Sequence, residues 1–97
     1  MSDLNLFYHE VRRDIAELNS AEKRFDDTYL RIAEKYILLF RSEDFEDDFK
    51  TIYGEKQMIC VRGVINCMDM VRSFNEKLIT KDFVLQMLIG IDKIGAF

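Results

Sequence analysis

The stretch Leu4–Phe40, LNLFYHEVRRDIAELNSAEKRFDDTYLRIAEKYILLF, decides the fold class. Apolar residues recur at Leu4, Tyr8, Val11, Ile15, Leu18, Phe25, Tyr29, Ile32, Tyr36 and Leu39, in steps of four and three, with only Glu22 missing from the series. Such steps keep one face of an α-helix apolar. The seam passes through Asn19–Ser20, where two readings compete. Either one helix ends there and the next is capped, or a single helix of about 38 residues runs through at 3.6 residues per turn. The unbroken phase favours continuity, because a turn normally disturbs it. In the second half Leu30, Ala33, Ile37, Leu38 and Phe40 widen the apolar coverage, so residues 29–40 belong at the centre of the fold. The first half carries Arg12, Arg13, Asp14 and Glu17 on its back and should be peripheral.

Working outward, Ser42–Glu55 reads SEDFEDDFKTIYGE, six acids against Lys50 alone. Residues 1–41 sum to −1 and residues 56–97 to +2, so this segment, at −5, carries more than the chain's whole net charge of −4. Phe45, Phe49, Ile52 and Tyr53 fall at i, i+4, i+7 and i+8, one face of a short helix with Ser42 at its N-cap and Gly54 at its end. Acids in a first turn also stabilise a helix by themselves, through its dipole. That accounts for Glu43 and Asp44 better than for Asp47 and Asp48. A calcium loop on Asp44, Glu46, Asp48 and Glu55 fails, because Phe49 stands where the sharp turn requires glycine.

A further helix is expected from Lys56 to Leu78, with Met58, Ile59, Val61, Val64, Ile65, Met68, Val71 and Phe74 making it central. Gly63 inside it costs about 1 kcal/mol relative to alanine, which a close helix crossing would explain. Thr80 caps a last helix with Phe83, Val84, Met87, Leu88, Ile91 and Ile94 on one face, stopped by Gly95. At the other end of the chain Ser2 caps the first helix. The chain has no proline and four glycines, so long helices with short connections follow. The fold expected over residues 1–97 is one all-α domain, a bundle of four to five helices.

Several functions are excluded by what is missing. No apolar run reaches 18 residues, so no membrane span is expected, and the acidic start MSDLNLFYHE is no signal peptide. Cys60 and Cys67 lie about 10 Å apart along a helix, too far for a disulfide, whose Cα atoms sit within about 7 Å. They are expected as buried, reduced thiols of a cytoplasmic protein. His9 is the only histidine, so neither a zinc site nor a histidine-based catalytic group is assembled. Gly54, Gly63, Gly90 and Gly95 form no phosphate-binding loop. Arg12, Arg13, Lys23, Arg24 and Arg31 could line part of one helix, but Asp14, Glu17, Glu22, Asp26 and Asp27 are interleaved, a mixed-charge face that argues against nucleic acid, which requires a basic stripe, without excluding it.

Val11–Asn19, VRRDIAELN, resembles the opening of the all-helical chorismate mutases, a family of similar length that begins with a long helix carrying an arginine, an isoleucine and a leucine in this phase. Arg12 matches the family's first substrate-binding arginine. The resemblance covers nine residues. Where the family has its second arginine and its lysine, this chain has Tyr29 and Phe40 or their neighbours, and Arg31, Lys35 and Gln86 are loose substitutes. The family's reaction depends on several cations gripping a dicarboxylate, which leaves a mutase-like enzyme as an alternative.

The sequence favours a non-enzymatic protein-interaction module of the regulator, inhibitor, immunity or chaperone type. It would have no cofactor and no metal, and it would dock a basic protein surface through Glu43, Asp44, Glu46, Asp47 and Asp48. A nucleic-acid-binding regulator is a further alternative. A homodimer through Leu4, Tyr8, Val11, Ile15 and Leu18 is compatible with each of these.

Overall fold

A computed structural model describes residues 6–20 and 28–95. They form five α-helices: α1 (Phe7–Ser20), α2 (Thr28–Leu39), α3 (Glu43–Tyr53), α4 (Glu55–Phe74) and α5 (Lys81–Gly95). A 3₁₀ turn, Glu76–Leu78, precedes α5, and no strand occurs among the described residues. The expected all-α class is therefore found.

The single long N-terminal helix is not. The Tyr36 hydroxyl lies 2.5 Å from Asp14 Oδ2, whereas one continuous helix would separate these residues by about 33 Å at 1.5 Å per residue. Helix α2 therefore lies beside α1, with Glu10 and Asp14 of α1 meeting Lys35 and Tyr36 of α2. The unbroken phase misled because two amphipathic helices facing one core can share a register by coincidence. Ser2, Leu4, Glu22 and Phe25 lie outside the described residues.

Short connections join the remaining helices. Arg41 N–H donates to the Leu38 carbonyl at 3.2 Å and Ser42 N–H to that of Leu39 at 3.3 Å, tightening the exit from α2. Ser42 then caps α3, its hydroxyl accepting from Phe45 N–H. Gly54 closes α3 through its N–H to the Lys50 carbonyl (2.9 Å) and opens α4 through its own carbonyl, which accepts from Met58 N–H (3.1 Å). Its φ of +98° belongs to a region that only glycine adopts without strain. Helix α4 stops at Phe74, short of the expected Leu78, because Asn75 is extended and its side chain accepts from Lys77 N–H. Thr80 caps α5 through Phe83 N–H at 3.2 Å. At the far end of α5, a Cβ on Gly95 would fall 2.2 Å from the Tyr8 ring, so this glycine permits a close approach.

Helix α4 is central, touching α2, α3 and α5, while α1 packs against α5. Among the fully buried side chains are Val11, Leu18, Tyr36, Ile37, Phe49, Val61, Met68, Val84, Leu88 and Ile91. Burying each of the larger ones contributes about 1.5–3 kcal/mol. Helix α1 is thus a core element and not the peripheral one its polar back implied. Tyr8, Val11 and Leu18 are buried within one chain and Ile15 packs against the same core. A second copy could pair through these four only by displacing contacts the fold itself uses. On α4 the differences run the other way. Ile59 and Phe74, expected inside, are exposed, and so is Cys60, with Cys67 half-buried and both thiols free.

Candidate functional site: the outer face of α3

The underside of α3 is fixed by aromatic packing. Phe49 is wholly buried, its ring 5.4 Å from those of Phe7 and Phe40 and 4.6 Å from Tyr53. Phe45 adds contacts to Phe40 at 5.2 Å and Phe7 at 6.0 Å. The edge-to-face pairs among these, Phe49 with Phe7, Phe49 with Phe40 and Phe45 with Phe40, add about 0.5–1.5 kcal/mol each beyond area burial. Phe7 joins α1, α2 and α3 in this cluster, although it lies off the four-and-three series that marks the seam. Ile52, the fourth residue of the expected aromatic face, is half exposed.

With that side held, the opposite side faces solvent. Glu43, Asp44, Asp47 and Asp48 are all exposed and fall within two turns of α3. Residues four apart share a face, so 43 with 47 and 44 with 48 make two adjacent carboxylate pairs. Glu46 does not join them. It turns to α4, where Arg62 grips both its carboxylate oxygens through Nε and Nη2.

Beside the carboxylates lies an open groove of about 490 Å³ between α2 and α3. Leu38, Leu39 and Phe45 line it with apolar surface, together with Ser42, the carboxylates Asp44 and Asp48, and Lys35. Leu38 is 58 % exposed, unusual for a leucine in a helix that is otherwise central. Apolar surface flanked by two carboxylates suits a cationic segment carrying an apolar anchor.

Behind the groove sits a polar cluster that sequence reading missed. Asp14 is buried, and its Oδ2 accepts from the Tyr36 hydroxyl (2.5 Å) and from Lys35 Nζ (2.6 Å). Lys35 also donates to Glu10 at 3.0 Å and stands 4.9 Å from the centre of the Tyr36 ring. Burial, then the hydrogen bond to Asp14, pushes the Tyr36 hydroxyl far above its ordinary pKa. Burial likewise pushes Tyr8 up to about 12, with Tyr53 and Asp92 adding to the rise. Tyr8 donates to Gln57 at 3.3 Å. No buried side-chain polar atom among the described residues lacks a partner. The signal available in the sequence was an acid on the same seam side as Val11 and Leu18, one turn from each.

The remaining sequence candidates are dispersed. Arg12, the residue matched to the mutases, is exposed and paired with Asp92 at 2.9 Å. Lys35 is held by Asp14 and Glu10, while Arg31 and Gln86 lie on exposed positions of α2 and α5. Arg41 meets Asp69, and Arg72 meets Glu34 and Asp69. His9 is exposed. No group of three or more metal-ligating side chains occurs among the described residues, and no helix among them is long and apolar enough to cross a membrane. Comparison with protein-family models, curated proteins and solved structures gave no match.

Proposed function

We propose that this protein is an interaction module that docks a protein partner with a basic surface through the outer face of α3. The observation that carries the reading is the joint placement of four exposed carboxylates, Glu43, Asp44, Asp47 and Asp48, beside an apolar groove. A helix whose underside is locked by Phe49 presents these groups without a backbone-ordering cost at the moment of binding. The carboxylates speed encounter with a cationic surface and select against acidic ones. Leu38 and Phe45 supply the apolar contact that holds the complex once formed. A regulator, an inhibitor, an immunity protein or a chaperone would each use such a face.

The test starts with affinity capture from the native host and mass-spectrometric identification of what is bound. The purified partner is then titrated against the wild type and the double variant Asp44→Asn, Asp47→Lys. Affinity should fall at least tenfold and its salt dependence should flatten, with helicity unchanged by circular dichroism. Equal affinity for both forms, or a partner whose contact surface is not basic, would reject the proposal.

A further inference from the structure

A second cavity, of about 570 Å³, lies where α3 ends, α4 begins and α5 ends. Tyr53, Lys56, Gln57, Cys60 and Ile94 line it. Tyr8 of α1 ties these three helix ends together. Its ring meets that of Tyr53 edge-on with centroids 5.0 Å apart. Its hydroxyl donates to Gln57 Oε1 at 3.3 Å. Gly95, lacking a Cβ, lets the end of α5 close onto the same ring. The walls of the cavity are therefore set before any ligand arrives, which lowers the cost of binding.

A cavity of this size, with apolar surface and a few polar groups, has the ordinary make-up of a small-molecule site. Ile94, Cys60 and the Tyr53 ring supply the apolar part, the Tyr53 hydroxyl and the Gln57 amide the polar part. Lys56 is the one charged residue among the described lining. It forms no ion pair among the described residues, because the adjacent Glu55 turns to Lys50 at 3.8 Å. Asp92 of α5 is likewise occupied, by Arg12 at 2.9 Å. Burial raises the Tyr53 hydroxyl above its ordinary pKa, so this phenol stays neutral and adds no negative charge.

We infer that this cavity binds a small carboxylate with a short apolar body, its anionic end on Lys56 and its chain against Ile94 and Tyr53. One cation balances the single charge of a carboxylate. A phosphate monoester, at about −1.5 to −2, would keep an excess of negative charge on a chain that is itself at −4. Lys56 and Cys60 are exposed, so the anionic end stays in contact with water. Binding is accordingly weak, with a dissociation constant on the order of millimolar for a ligand the size of hexanoate. Tyr53 belongs to the aromatic side of α3, so this site is separate from the carboxylates Glu43, Asp44, Asp47 and Asp48 and does not depend on their role.

Hexanoate, hexanol and hexylammonium, titrated separately to about 20 mM into the isotope-labelled full chain, decide the matter by NMR. Hexanoate should shift the amides of Tyr53, Lys56, Gln57, Cys60 and Ile94 saturably and leave those of Asp44 and Asp47 in place. Hexylammonium should not move this set. Lys56→Gln should weaken hexanoate about threefold, the weight of an exposed ion pair, and leave hexanol unchanged, while Lys56→Arg should keep wild-type affinity. In a Cys67→Ser background, saturating hexanoate should slow alkylation of Cys60 by iodoacetamide. No saturable shifts with hexanoate, hexanol bound as tightly as hexanoate, or Lys56→Gln without effect would each overturn the inference. So would tighter binding after removal of residues 96–97, because the chain itself would then be the occupant.

Discussion

Helices α3 and α4 share a glycine and yet treat solvent in opposite ways. Helix α3 puts its aromatic residues inward and four of its carboxylates, Glu43, Asp44, Asp47 and Asp48, outward, the arrangement its sequence period predicts. Helix α4 is central and should be apolar inward only, but it ties its charges sideways and leaves Ile59, Met70 and Phe74 in water. The lesson is that charge in this chain is positioned, not scattered. One outward face repels a copy of itself and attracts a cation. The other, from Ile59 to Phe74, exposes no charged residue.

The largest expected break of this contrast is Phe49→Ala. Removing a wholly buried ring should cost about 3–5 kcal/mol, measured by denaturant unfolding, and should loosen α3 so that its carboxylates are no longer held as a set. A loss under about 1 kcal/mol would mean that α3 is anchored by something else, since buried phenylalanine truncations do not reach so low. Asp14→Leu comes next and strikes both faces equally. It leaves the Tyr36 hydroxyl and one side of Lys35 without their acceptor, an expected cost of about 3 kcal/mol, with Asp14→Asn milder because an amide oxygen still accepts. If the leucine variant matches wild-type stability, the cluster at Asp14 is dispensable to the packing of α1 on α2. Gly54→Ala should cost about 1–3 kcal/mol, because its φ of +98° lies in a glycine-only region; an unchanged denaturation midpoint would show that the joint relaxes. The smallest effects on stability should come from the outward residues. Asp47→Lys and Met70→Glu should each stay within about 0.5 kcal/mol of wild type in denaturant unfolding.

An alkaline limit adds a pH-dependent test. Tyrosine in an unfolded chain ionises near pH 10, whereas burial holds Tyr8 at about 12 and Tyr36 higher still. The folded state keeps protons that the unfolded state gives up. The stability they contribute is therefore complete below about pH 10 and is lost as pH climbs through 12. The thermal midpoint should be flat between pH 8 and about 9.5 and fall above that, with phenolate absorbance lagging behind a free tyrosine. Normal tyrosine titration with the fold intact would contradict the burial of these two rings.

Much of the fold was legible because helical spacing is a local property. The caps at Ser42 and Thr80, the joint at Gly54 and the acidic outward face of α3 follow from residue type and position alone. What was not legible depends on contacts distant in sequence. The reversal between α1 and α2 rests on Asp14 reaching Tyr36, and spacing is silent about which way a chain turns. The exposure of Ile59 and Phe74 could not be read either, since an apolar residue on a helix looks the same whether a neighbour covers it or not. Of the five acids singled out, Glu46 was misplaced for a related reason: its partner Arg62 lies 16 residues away on another helix.

Gly54 has one more consequence. A joint of a single residue, braced by Arg62 of α4 on Glu46 of α3, leaves little slack, so the separation between Asp47 on α3 and Asn66 on α4 depends on that one residue and that one ion pair. Spectroscopic labels at these two positions would report a narrow distance distribution in the free protein. Any broadening on addition of a ligand would register as play in the elbow itself, long before a change in helix content could be seen.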